Sequence, residues 1–217
     1  MSFPTILRRS LPSRLFGPAL LATALFGLAA GGRAAEWERH TPLPEPRTEV
    51  AAAAAGGEIV VAGGLVAGGG NSARVDAYTV RNDQWRRLPD LPVSVDHAAA
   101  ASANGRVYVV GGYGGDRQPL RTVFVLERGA WSRLSPLPDG RAAAAAAIAG
   151  GRLYVVGGID GRRSLARVAF ALTLGSQLGT QRWTRIPGPT AREHLAAAAS
   201  RGRIYAIGGR AAGIEPT

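Results

Sequence analysis

Four times along the chain, a run of alanines leads through a glycine-bearing turn into a strand of consecutive apolar positions that closes on two glycines. The second members of these pairs read EIVVAGG (58–64), RVYVVGG (106–112), RLYVVGG (152–158) and RIYAIGG (203–209). Their apolar residues follow one another without in-out alternation, as in strands covered on both faces. The preceding alanine runs, 51–55, 98–101, 142–147 and 196–199, would favour helix on propensity alone. Each is too short to stand as a helix and is tied to the next strand through Gly56-Gly57, Asn104-Gly105, Gly150-Gly151 or Arg201-Gly202. Such pairs tolerate the positive φ of tight hairpin turns, so the alanines are predicted as strands.

A third and a fourth strand follow in each unit. VDAYTV, TVFVLE and RVAFAL bring Tyr78, Phe124 and Phe170 into register, and WRRLPDLP, WSRLSPLP and WTRIPGPT each begin with tryptophan. The Gly-Gly doublets at 63, 111, 157 and 208 are spaced 48, 46 and 51 residues apart. Trp37, Trp85, Trp131 and Trp183 are spaced 48, 46 and 52. Two independent markers keep one period, the signature of a repeat architecture. A recurring aromatic at one position is assigned to packing rather than to ligand binding.

This pattern resembles the kelch repeats, which place a Gly-Gly doublet at the end of the second strand, an aromatic in the third and a tryptophan in the fourth. The resemblance spans residues 37–209 and implies an all-β, kelch-type β-propeller of four-stranded antiparallel blades. Three blades are expected at about 47–92, 96–138 and 141–189, with a split blade from 37–44 and 192–217. Because kelch rings commonly have six or seven blades, a partial or truncated propeller is expected. The insertion TLGSQLGTQR enlarges one turn of the third unit.

Ahead of the repeats, Arg8, Arg9 and Arg14 precede the apolar run Leu15–Ala30 and the small residues around Ala34. This order predicts a signal peptide over 1–34, a mature domain over 35–217, and a periplasmic or secreted protein with no membrane association once the leader is removed. Arg8-Arg9 partly matches a twin-arginine signal, from which Pro12 departs.

Composition trims the functional options. The net charge is +11, all 26 basic residues are arginine, and removing the leader lowers the charge to +7. No dense basic run occurs, which argues against nucleic acid. With no cysteine there is no disulfide, thiol nucleophile or zinc-thiolate site. The Cys-Tyr crosslink of the copper radical oxidases, which also contain kelch propellers, cannot form. His40, His97 and His194 lack i, i+4 ligand spacing, so neither a metal nor another cofactor is expected.

In an antiparallel blade, the loop before the first strand and the loop after the second share one end, where ligand sites favour loops on a rigid scaffold. The first set carries Arg47 and Glu49, Asp96 and His97, Arg141, then Arg192, Glu193 and His194. The second carries Tyr113, Asp116 and Arg117, then Asp160, Arg162 and Arg163, then Arg210. Candidate ligand residues are Arg47, His97, Arg141, Arg192, Glu193, His194, Asp116, Arg117, Asp160 and Arg162. The arginines suit a protein, peptide or acidic carbohydrate carrying carboxylates. Solvated loop charges and inter-blade ion pairs are the other use of the same residues. Exported kelch propellers also include proteins similar to sialic-acid mutarotase (N-acetylneuraminate epimerase). That resemblance implies a second function, with Glu193 or His194 as the acid-base group, though no catalytic motif can be matched residue by residue.

Overall fold

Each alanine run is a strand because its neighbour holds it as one. In the computed structural model, which describes residues 37–175 and 181–211, β1 (Ala51–Ala55), β2 (Glu58–Ala62), β3 (Val75–Thr79) and β4 (Gln84–Leu88) form one antiparallel sheet in sequential order. The same sheet is repeated by β5 (Ala99–Ala103), β6 (Arg106–Val110), β7 (Val123–Glu127) and β8 (Ala130–Arg133). After β9 (Arg141–Ala142), a third is built from β10 (Ala145–Ala149), β11 (Arg152–Val156), β13 (Val168–Thr173) and β14 (Trp183–Pro187), with β12 (Ile159–Asp160) pairing back onto β9. A two-stranded sheet, β15 (Ala196–Ser200) and β16 (Arg203–Ile207), follows. The expected leader and the middle of the enlarged turn lie outside the described residues. Among the described residues no helix is long and apolar enough to cross a membrane.

Register repeats with the sequence. Ala51 faces Ala62, Ala99 faces Val110, Ala145 faces Val156 and Ala196 faces Ile207. Asn104 and Gly105 both take positive φ, 52° and 72°, as a type I′ turn requires. The four first strands lie side by side, β1 against β5, β5 against β10 and β10 against β15. They line an axial funnel of about 390 Å³, whose crowding accounts for the alanines.

Between blades the core is continuous. Val60, Val75 and Ala77 of the first blade pack with Val107, Val109 and Phe124 of the second. Tyr108, Val110, Val123 and Val125 instead pack with Leu153, Val155 and Phe170 of the third. Each valine, leucine or phenylalanine among them contributes roughly 1.5–3 kcal/mol when fully buried.

The Gly-Gly doublet is where one blade's backbone touches the next blade's loop. A Cβ on Gly111 would lie 2.0 Å from the Arg141 carbonyl oxygen, and the Gly112 N–H donates to that same oxygen at 2.7 Å. A side chain has no room there, and both glycines adopt positive φ.

The tryptophans tie each blade to the preceding repeat. Their indole N–H groups donate to the carbonyls of Thr41, Pro89 and Ser135, from Trp85, Trp131 and Trp183 respectively, at 2.8–2.9 Å. Thr41, Pro89 and Ser135 occupy the same position of the repeat. Residues 37–44, expected to add a strand to a split blade, form no strand. Thr41 instead docks on the first blade through Asp83 and Trp85, and the β15–β16 sheet remains two-stranded among the described residues.

Candidate functional site at the axial mouth

Before each first strand the chain makes the same three-residue step. It comprises Arg47-Thr48-Glu49, Val95-Asp96-His97, Arg141-Ala142-Ala143 and Arg192-Glu193-His194. The middle residue pairs with the residue that follows the glycine doublet: Thr48 with Leu65, Asp96 with Tyr113, Ala142 with Ile159 and Glu193 with Arg210. The third residue is left-handed in every case, with φ of 52°, 53°, 50° and 51°. For non-glycine residues that conformation costs roughly 1–2 kcal/mol each. It is held by a chain of backbone bonds from blade to blade. The His97 N–H donates to the Glu49 carbonyl at 3.0 Å, Ala143 to His97 at 2.9 Å and His194 to Ala143 at 2.9 Å.

The third residues consequently converge on the funnel. His97 Nε2 lies 3.4 Å from Glu49 Oε2, and His194 Nε2 lies 3.8 Å from the same oxygen. The two imidazoles meet edge to face at 5.0 Å. Behind each ring stands a carboxylate from the neighbouring residue. Asp96, fully buried, faces His97 Nδ1 and also accepts hydrogen bonds from Arg117 Nη1 and Asn71 Nδ2. Glu193 lies 3.2 Å from His194 Nδ1, and Arg210 contacts both Glu193 and that ring nitrogen at 2.9 Å. Tyr113 packs edge-on against His97, with Arg117 over its other side. Burial pushes the Tyr113 hydroxyl above its ordinary pKa, and the charge of Glu193 adds to the shift.

Next to this cluster opens a cleft of about 700 Å³ lined by Tyr113, Arg163, Arg167, Glu193 and Arg210. Among the described residues Arg163 and Arg167 form no ion pair with a carboxylate.

The kelch motif matches residues 46–92, 96–138 and 140–168, more than half of the chain. The chain belongs to the kelch-motif family. A search of curated proteins found no match. Among solved structures the chain is similar to that of YjhT, with a TM-score of 0.69 and 17% identity over 80% of this chain. It spans 62% of the length of that structure. The likeness is one of fold, and with the kelch motif it establishes a kelch-repeat β-propeller.

Within these kelch blades the ten candidate ligand residues separate by position. His97, Glu193 and His194 come together at the axial mouth. Arg117 stands beside them as the partner of Asp96, while Arg162 is exposed on the loop after β12. Asp116 and Asp160 shape their own turns by accepting backbone N–H groups, from Gln118 and from Arg162 and Ser164.

The first-position arginines turn toward carbonyls and carboxylates of their own blades. Arg47 is buried, donates to the carbonyls of Gly63 and Arg74, and pairs with Asp76 at 2.6 Å. Burial lowers its pKa, with Asp76 opposing the shift. Arg141 is 1% exposed, bonds Asp139 and the Gly140 carbonyl, and lies 4.6 Å over the Phe170 ring. Arg192 is half-buried and donates to the Ala206 carbonyl. All three sit at one register position and fasten strand ends within their own blades. The physical reason is the left-handed step two residues later, which leaves position one beneath the blade and turns position three into the axis.

The sequence placed Glu49, Tyr113, Arg163 and Arg210 on this loop face without singling them out as ligand residues, and it gave no place there to Asn71 or Arg167. The signal was present for Glu49. Aligning the units on the Gly-Gly doublet puts Glu49, His97, Ala143 and His194 in one column, each 14 residues before the first glycine.

Proposed function

We propose that this kelch protein is an exported binding and interaction module, and that it takes an anionic ligand, an acidic carbohydrate or an acidic peptide, in the cleft beside the axial mouth. The supporting observation is the convergence of Arg163, Arg167 and Arg210 with the Tyr113 ring on one open cleft of about 700 Å³. A planar guanidinium can bind a carboxylate through two parallel hydrogen bonds, and an aromatic wall offers an apolar face to a sugar or side chain. A loop face on a rigid repeat scaffold is a common place for such a site.

The test is binding to a panel of neutral and acidic oligosaccharides and peptides. Acidic members should bind, more weakly at high salt, and Arg163→Ala or Arg210→Ala should weaken binding at least about tenfold, the cost of one charge-assisted contact. If no acidic member binds, or if both variants bind like the parent, the reading is wrong. Arg141→Ala and Arg192→Ala are unsuitable probes because those side chains hold the blades together.

A sugar-mutarotase function is the second reading. It draws on the contact between Glu193, His194 and Arg210 at the border of the same cleft. There Glu193 or His194 would move the proton while an arginine held the sugar carboxylate. Anomeric exchange of an acidic sugar, followed by NMR, should accelerate with the parent protein and not with Glu193→Gln. Exchange that is unchanged by the parent excludes this reading.

A further inference from the structure

We propose that Glu49, His97 and His194 form a binding site for a divalent transition-metal ion of the zinc type, set at the axial mouth with one coordination position left open. One ligand atom from each of the three residues lies within 4.8 Å of the others. Metal–nitrogen and metal–oxygen bonds of about 2.1 Å at tetrahedral angles place ligand atoms roughly 3.4 Å apart. The observed 3.4 Å and 3.8 Å separations between imidazole Nε2 and Glu49 Oε2 match that spacing. They are longer than an N–H···O hydrogen bond, for which the limit is about 3.2 Å. The spacing leaves room for a bridging cation.

The outer shell is also in place. A metal-bound imidazole characteristically directs its second nitrogen at a carboxylate, which fixes the tautomer and raises the basicity of the ligating nitrogen. Asp96 does this for His97, and Glu193 is placed to do it for His194. Arg117 and Arg210 already neutralise those outer carboxylates, whereas Glu49 contacts only the two histidines among the described residues. Its charge is thus left for the cation. An Arg210 N–H points at His194 Nδ1 at 2.9 Å, so metal at Nε2 requires that contact to give way to donation from Nδ1–H to Glu193, 3.2 Å away.

The fold supplies the preorganisation. Glu49, His97 and His194 come from three different blades, and each is turned inward by the same left-handed backbone. The fourth equivalent position is Ala143, which offers no ligand atom. That side of the ion is left for water or an incoming oxygen ligand. The site shares a face with the proposed anion cleft but does not depend on it, since metal uptake can be read with no organic ligand present.

The experiment is titration of the full, chelator-treated chain with Co²⁺ as a spectroscopic probe, followed by displacement with Zn²⁺. One equivalent of Co²⁺ should bind and give the visible absorption of a four- or five-coordinate nitrogen-oxygen site, and Zn²⁺ should abolish it. The variants Glu49→Gln, His97→Ala and His194→Ala, checked for native circular dichroism, should each weaken uptake at least about a hundredfold. Asp96→Asn should weaken it about 10–100-fold, as expected for an outer-shell partner. His40→Ala, whose ring is paired with Asp83 and not with the cluster, should bind like the parent. If the folded parent takes up no Co²⁺, or if uptake survives loss of both His97 and His194, the proposal is overturned. The parent titration decides this even if a variant fails to fold.

Discussion

The second blade and the two-stranded sheet at residues 196–207 carry the same motif in different surroundings. In β6, RVYVV, four of five residues are buried, and Tyr108 is 3% exposed. In β16, RIYAI, no residue is fully buried. Tyr205 is 46% exposed and Ile207 57%. The backbone pairing is nevertheless identical, Ala99 opposite Val110 and Ala196 opposite Ile207. What differs is coverage. Val107 and Val109 enter the core shared with the first blade, while Tyr108 and Val110 enter the core shared with the third. The β15–β16 sheet meets the third blade through a small cluster around Leu195, Ala197 and Ala206. Strand formation is thus a property of the motif, and burial is a property of the neighbours.

The sharpest way to break the comparison is aromatic truncation at equivalent positions. Tyr108→Ala should cost about 3–5 kcal/mol in chemical denaturation, as core aromatic truncations do. Tyr205→Ala should cost under about 1 kcal/mol. Equal losses would mean that β16 is as well covered as β6. The glycine doublets give a second contrast. Gly111→Ala forces a methyl onto the Arg141 carbonyl at positive φ and should cost about 2–5 kcal/mol. Gly208→Ala meets no atom of the described residues within 4 Å and should cost only the conformational part, about 1–2 kcal/mol. The melting temperatures of the two variants decide it.

A smaller effect is expected from Trp131→Phe, which removes the hydrogen bond to the Pro89 carbonyl while keeping most of the apolar surface. About 1 kcal/mol is expected from the urea midpoint.

The smallest effect concerns pH at the outer side of the first blade. Burial and donation to Asp83 push the Tyr78 hydroxyl up to about 12, and the same bond pulls Asp83 below its ordinary value. For Tyr78 the stabilisation is complete below the unfolded tyrosine value, about 10, and is lost as pH rises through about 12. For Asp83 it is complete above about 3.9 and lost as pH falls below that. Tyr78→Phe should flatten the alkaline decline in a pH series of thermal melts and leave the second blade's packing untouched.

Much of the blade pattern could be read directly from the residues. Gly-Gly at fixed spacing, aromatics at 78, 124 and 170, and the Asn104-Gly105 turn each report a local backbone requirement, and local requirements are visible in sequence. The site was legible only in part. His97, Glu193 and His194 were expected on one face and do meet there. Arg47, Arg141 and Arg192 were expected beside them and turn the other way, because a two-residue difference of position in the left-handed step decides between blade interior and axis. The ligand-spacing rule, which looks for histidines one helical turn apart, does not reach this grouping. Here Glu49, His97 and His194 are separated by whole blades.

By itself, the sequence determined the repeat, the four-stranded blade and the face on which polar loops gather, since each rests on strand, turn and glycine preferences that act within one unit. Only the tertiary structure decided which of those polar residues are structural and which converge. The backbone bonds from Glu49 through His97 and Ala143 to His194 link different blades. Distances between side chains drawn from separate repeats follow from that packing, and no single repeat encodes them.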